Sequence, residues 1–339
     1  MGKLAISSAI IVATVILAGC GGGGGGSSSP SVTPTTPTSP SAPPTVAASL
    51  QAAVTPTYSS TSEEYGYYQA VNAFRTSQGL GPLNQNISYD KASAAHANYC
   101  FLNSFGHNEV QGLPGFTGEN PLDRVVYQGG TASLATEEGG LPDVQGAPGS
   151  GANFAGVIIN TVYHRASLMY QGLTDIGVSI GMSAPSAPTA IPSFSDMGYV
   201  KQQVNAGNYF GFYPANGQTG VSLHFHGEEP SPVPAGTDVT QVGSPISVAA
   251  QESTSLTVSS FTVTQNGAAS ALPATIITST DPNLTGSNNL AFLLSGQAFL
   301  PSTTYTAHFV GTVTGPATGS TTGIPVDMSW SFTTGTSSY

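Results

Sequence analysis

In the N-terminal half of the chain, apolar side chains recur at helical spacing in three stretches. Tyr67, Val71 and Phe74 follow Thr61-Ser62-Glu63-Glu64, which has the form of a capping box, and Gly79 supplies a stop; this predicts a helix beginning near residue 61. A second helix is expected from about Ser88 to Asn103, with Ala92, Ala95, Tyr99 and Leu102 on its inner face. A third, about Asn153 to His164, turns Phe154, Val157, Ile158 and Val162 inward. Residues 104–151 are rich in Gly and Pro and read mostly as loop. Strand-like runs come next at Ile176–Ile180, Ile191–Phe194, Tyr209–Phe212 and Val221–Phe225. Helices first and antiparallel strands later imply an α+β layered unit over residues 61–229.

Pro230, Pro232 and Pro234 mark a boundary. Over residues 230–339 apolar and polar positions alternate, as in Ser255–Val258, Phe261–Val263, Thr304–Phe309 and Met328–Phe332, with turn residues between. No helical period interrupts them, so an all-β sandwich is expected. Pro301–Tyr305 and the closing Trp330–Gly335 resemble the bacterial Ig-like modules of surface proteins.

The first residues read differently. Lys3 precedes a nearly uncharged apolar run, Leu4–Leu17, which falls short of the roughly 20 residues a membrane helix needs but suits a cleaved export signal over residues 1–19. The run ends Leu17-Ala18-Gly19-Cys20, which resembles the lipobox of bacterial lipoproteins and implies lipidation of Cys20. Residues 20–60 open with a Gly tract and a Ser/Thr/Pro tract that offer little to bury, so they are expected to form a disordered spacer between a cell-envelope membrane and the folded part. Of the two cysteines, lipidation of Cys20 leaves Cys100 as a lone thiol without a disulfide partner; among Tyr99, Phe101 and Leu102 it is expected to be buried. Six Lys plus Arg against seventeen Asp plus Glu argue against binding nucleic acid through charge.

Chemistry is confined to few residues. His107 stands in Ser104-Phe105-Gly106-His107, and His164 opens His164-Arg165 at the end of the third helix. Between them lie Gly118-Glu119-Asn120, then Pro121-Leu122-Asp123-Arg124, then Thr136-Glu137-Glu138. Asp123 and Arg124 could pair and pin the intervening loop. His224-Phe225-His226 reads as a pair of surface-strand histidines, and His96 as structural. The common hydrolase, zinc-peptidase, phosphate-loop and dinucleotide motifs are missing from the sequence.

This order of a helix, F-x-H, P-x-D-R, an acidic residue, a helix ending in H-R and then Thr174-Asp175-Ile176-Gly177-Val178 resembles the bacterial branch of the CAP superfamily over about Glu64–Phe225. The resemblance implies an α-β-α sandwich with an open cleft lined by two histidines and one or two glutamates. His107 and His164 match the histidines by their flanks. Spacing in bacterial members favours Glu137 for the acid, spacing in eukaryotic members suits Glu119, and Glu138 is a further alternate. A second acid and the usual tryptophan are missing from Asn153–Tyr163. A His107–Glu137–His164 set would suit a divalent cation such as zinc, or general acid–base work. The resemblance implies a binding module for a lipid, a sterol or a divalent metal, leaning away from an enzyme. The alternatives are a hydrolase acting on envelope polymers or peptides through the same cleft, and an adhesive surface protein whose cleft is vestigial.

Overall fold

The computed structural model describes residues 46–140, 150–181 and 192–337. Cys20, the export signal and the first part of the spacer lie outside the described residues. The described residues fall in one compact unit.

The first helix, α1 (Glu63–Ser77), starts at Ser62, whose side chain accepts from the Tyr65 amide. The capping group is thus the serine, one residue later than the sequence pattern suggested. Tyr67, Val71 and Phe74 are buried, and Gly79 ends the helical run at a φ of 74° that favours glycine. The second helix, α2 (Ile87–Leu102), buries Ala92 and Tyr99 of the expected face and adds Tyr89, Ser93, His96, Ala97 and Cys100, whereas Leu102 is half exposed. Two polar positions lie on that inner face because each finds a partner there, Ser93 at Asp196 and His96 at Glu109.

Two elements replace part of the expected loop: a short helix α3 (Pro121–Tyr127) and a strand β2 (Leu134–Gly140). The expected third helix is two, α4 (Ser150–Ile159) and α5 (Tyr163–Leu168). With β1 (Asn84–Gln85), β3 (Asp175–Ser179) and β4 (Ser193–Tyr199), strand β2 forms a sheet of order β1-β3-β4-β2. Only β1 and β3 run parallel. Helix α2 packs on one face of this sheet; α1, α4 and α5 share a core with Ile176, Val178 and Met197 on the other. Gly177 lies so close to α2 that a Cβ there would stand 2.0 Å from the Tyr89 carbonyl carbon, so the helix rests directly on β3. Mixed helix and sheet in this half accords with the expected α+β class.

Residues 46–60, expected to continue the spacer, are laid against this layer. Ser49 bridges Val204, the Gln51 side chain donates to the carbonyls of Pro82 and Thr174, and the Tyr58 hydroxyl donates to Asp90. These partly buried polar contacts hold down a segment whose aliphatic side chains, among them Leu50 and Val54, stay exposed.

The C-terminal part is antiparallel β. One sheet has the order β11-β10-β7 (Ser320–Thr333, Thr304–Gly315, Ser255–Gln265). The other has the order β5-β6-β9-β8 (Phe210–Tyr213, Ile246–Ala250, Leu290–Ser295, Ala274–Thr278). Along β10, Tyr305, Ala307, Phe309 and Val313 are buried on the alternating face of a half-buried strand. Tyr305, Ala307 and Phe309 meet Val248, Phe261, Leu293 and Trp330 from both sheets in one core. Strand β5 precedes the proline tract, yet it pairs with β6 rather than with the first sheet. The run Val221–Phe225 is not a strand; only Val221 forms a bridge, parallel to Thr334.

The two halves are bolted together by buried polar side chains. Arg165 donates from Nε to Ile159 O (2.5 Å) and from Nη1 to Pro245 O (2.7 Å), and its guanidinium lies 4.7 Å from the Tyr213 ring centroid. Gln171 donates to Ala250 O at 2.7 Å. These side chains satisfy carbonyls that the junction would otherwise bury unpaired.

Candidate functional site

Strand β2 supplies two consecutive glutamates, and a strand sends consecutive side chains to opposite faces. Glu137 lies opposite Asp196 and Glu138 opposite Ser195 in the β2–β4 register. Ser93 of α2 donates to Asp196 at 2.7 Å, so Glu137 shares the α2 face; Tyr67 of α1 hydrogen-bonds Ser195 at 2.7 Å, so Glu138 shares the α1 face.

On the α2 face, Glu137 is fully buried and held from three sides. Arg124 Nη2 donates to Oε2 at 2.6 Å, His107 Nδ1 lies 3.1 Å from Oε1, and His96 Nε2 lies 3.4 Å from the same oxygen. Arg124 also donates to the His107 carbonyl at 3.0 Å, so one guanidinium fixes both the glutamate and the loop that presents the histidine. The expected Asp123–Arg124 pair does not form: Asp123 accepts from the Asn120 side chain at 2.7 Å, at the exposed start of α3. Arg124 instead points inward, where the only strong stabilisation for a guanidinium is a carboxylate or carbonyl oxygen.

His96 sits at the centre of this network. Its Nδ1 lies 2.9 Å from Glu109 Oε1 and its Nε2 lies 2.8 Å from the Gly106 carbonyl. A ring with an acceptor at each nitrogen carries both protons, so His96 is an imidazolium. Burial acts to lower its pKa, but hydrogen bonding to Cys100 and Glu109 and the charge of Glu137 outweigh it and push the pKa up to about 10. Glu109 moves the opposite way. Burial would raise it, yet bonds from His96 and from the Thr117 and Gly118 amides hold it below the ordinary carboxylate range. Those amides reach it because Gly118 permits the turn; a Cβ there would stand 2.6 Å from that of Asp123. Asp196, buried behind Glu137, is raised well above the usual range by burial and then by the Glu137 charge. Cys100 is buried as expected, with Sγ 3.5 Å from His96 Nε2.

On the other face the arrangement is simpler. His164 Nδ1 hydrogen-bonds Glu138 Oε2. Burial works to lower the His164 pKa, and the Glu138 bond and the charges of Glu138 and Glu228 override it and raise it. Glu228 caps the start of α5 by accepting from the amides of Val162 (2.6 Å) and Tyr163 (2.8 Å).

Each histidine therefore has its own glutamate. His107 meets Glu137 and His164 meets Glu138, while Glu119 is exposed and accepts from the Glu109 amide through its backbone carbonyl only. A His107–Glu137–His164 chelate does not fit this arrangement, because Glu137 and Glu138 face opposite sides of the sheet. Among the described residues, no group of three His, Cys, Asp or Glu side chains could hold a metal ion. In both pairs Nδ1 is committed to a carboxylate, which leaves Nε2 as the atom to meet a ligand or move a proton. The His107 side chain is 48% exposed and that of His164 17%. The His224 and His226 rings lie tilted to each other at 5.6 Å between centroids, on irregular chain rather than on a strand.

Sequence reasoning missed Glu109, and gave His96 no role in the cleft. The one available signal was the i, i+4 spacing of His96 and Cys100, which puts an imidazole and a thiol on one helix face.

No curated protein matches the chain. Among solved structures, an extracellular protein containing an SCP domain from Bacillus anthracis str. Ames is similar at 17% identity, covering 40% of this chain and 40% of that chain with a TM-score of 0.32. The chain thus spans two fifths of that protein's length. An outer surface protein from Borrelia burgdorferi is similar at 14% identity, covering 42% of this chain and 97% of that chain with a TM-score of 0.35. Residues 68–187, which hold most of α1, all of α2, α3 and β2, and both histidine–glutamate pairs, match the family model of CAP, the cysteine-rich secretory protein family.

Proposed function

We propose that the chain is an exported binding module, tethered to a membrane through a lipid on Cys20, that takes a small lipid or sterol beside His107. The observation that carries this reading is the His107 imidazole, half exposed and held by a glutamate that Arg124 fixes from behind. An oriented imidazole presents one hydrogen-bonding atom to the polar end of a ligand. Apolar side chains flank it: Phe101, Leu102, Phe105, Val110 and Leu113 are all exposed. Single exposed apolar residues are ordinary, but five within thirteen positions around a polar anchor suit an amphipathic ligand. Titrating the soluble protein, truncated before residue 46, with a fluorescent sterol and a fluorescent fatty acid tests it. Binding weakened about tenfold in His107→Ala and in Phe105→Ser is the expected result. Absence of binding to both probes, or equal binding by the variants, overturns the reading. Zinc calorimetry on the same protein separates a metal ligand from a lipid one.

A second reading is favoured by the pairs themselves. A carboxylate on Nδ1 of a histidine with free Nε2 is the arrangement of a general base. Among the described residues no serine, threonine or cysteine side chain hydrogen-bonds His107 or His164, so any hydrolysis here would use water directly. Turnover of envelope polymers or peptides that disappears in Glu137→Gln would establish it.

A further inference from the structure

Where the two halves meet, a cavity of about 500 Å³ opens between α5 and the turn that leads into β9. Its walls include Thr136 of β2, Tyr163 and Ser167 of α5, Tyr170 just beyond it, and Leu284 and Ser287 from the C-terminal part. The volume suits a small-molecule site, and a junction between two lobes is a common place for one. No Lys, Arg, His, Asp or Glu lines it. A phosphate, a carboxylate or an ammonium group would enter without a counter-charge, so the lining selects a neutral ligand.

The polar groups are all neutral: hydroxyls and the single carboxamide of Asn283. Among the described residues, the hydroxyls of Thr136, Ser167 and Ser287 have no hydrogen-bond partner, and each is half-buried in the cavity wall. The two rings are held in place from outside it. Tyr163 donates its hydroxyl to Asp281 at 3.0 Å, and Tyr170 accepts from Gln202 at 2.9 Å while stacking on Tyr199 at 6.2 Å between centroids. Fixed aromatic rings and free hydroxyls in one lining match a ligand that has an apolar C–H face and a rim of hydroxyls. A lipid tail would leave the three hydroxyls unpaired, at a cost for each.

We infer that this junction cavity is a binding site for a neutral saccharide, stacked on Tyr163 or Tyr170 and hydrogen-bonded through Thr136, Ser167 and Ser287. The site is independent of the reading given to His107. Both lobes contribute walls, so it exists only in the joined chain.

Saturation-transfer NMR on the joined two-lobe chain with maltotriose, cellotriose and triacetylchitotriose, each at about 10 mM, tests the inference. The expected result is transfer to the ring C–H protons of at least one sugar. Affinity should fall about tenfold in Ser167→Ala/Ser287→Ala, with an unchanged circular dichroism spectrum, and should be retained in His107→Ala. Absence of transfer to all three sugars overturns it. So does binding that the double variant leaves intact, binding lost in His107→Ala, or a long-chain alcohol that binds in the cavity as well as the sugars do.

Discussion

Glu137 and Glu138 are neighbours in sequence and belong to different electrostatic worlds. On the α2 face, Glu137 meets a guanidinium, an imidazolium and a half-exposed imidazole, with Glu109 and Asp196 close behind. On the α1 face, Glu138 meets one histidine, in a setting shared with Tyr67 and Glu228. The first glutamate is part of a charge lattice buried out of water, so each member depends on the others. The second is a single carboxylate–imidazole contact. A pair of adjacent residues thus yields one site cross-linked by several charges and one held by a single contact.

Removing the central cation should separate the two faces most. Arg124→Met leaves Glu137 buried with the His96 imidazolium and the His107 ring beside it and is expected to cost about 3 kcal/mol in urea unfolding, with the His164 NMR titration unmoved. If the His164 titration shifted with it, the two faces would not be separate. Next in size, His96→Gln should cost about 2 kcal/mol near pH 6, and the deficit should depend on pH. The His96 pKa is raised in the folded chain, so its contribution is complete below its ordinary value of 6.5 and is lost as pH rises through about 10. Glu109 is lowered, so its contribution is complete above 4.5 and fades as pH falls through its folded value. The difference between wild type and His96→Gln is therefore expected to be widest between pH 4.5 and 6.5 and to shrink in alkali; a deficit that grows with pH would contradict the imidazolium.

On the other face, Glu138→Gln keeps the shape and an acceptor oxygen, so about 1 kcal/mol is expected. Its signature is a His164 titration moved downward, since the Glu138 bond is what raises it against burial. Smallest is Asn120→Ala, which removes the side-chain acceptor for the Asp123 amide at the start of α3. About 0.5 kcal/mol should be lost, with chemical-shift changes confined to the Glu137 face that α3 supports through Arg124.

Much of the frame was legible in advance because it is periodic. Helices α1 and α2 announce themselves by apolar spacing, although the residues that cap them, Ser62 and Asn86, are not the ones the pattern pointed to, and β10 announces itself by strict alternation. Strand β2 was not legible. Leu134-Ala-Thr-Glu-Glu-Gly-Gly has little strand propensity and reads as loop, with Glu137 and Glu138 as cleft candidates on it. It is a strand because β4 offers it a ladder and because buried cations receive the Glu137 carboxylate. The pairing of His107 with Glu137 was the sequence's preferred choice; assigning His164 to the same glutamate was not compatible with strand alternation once β2 existed.

The chain alone therefore determined that α1 and α2 form and where they end to within about two residues, since propensity and capping act over a few residues. It also carried the order of motifs that places both histidines near one strand. Only the tertiary structure decided which partner each ionisable group takes. Those choices depend on contacts between residues 13 positions apart for His96–Glu109 and 30 for His107–Glu137, and on which face of β2 each side chain occupies. Burial then converts those contacts into charge states, because a low-dielectric surrounding enforces pairing that water would not.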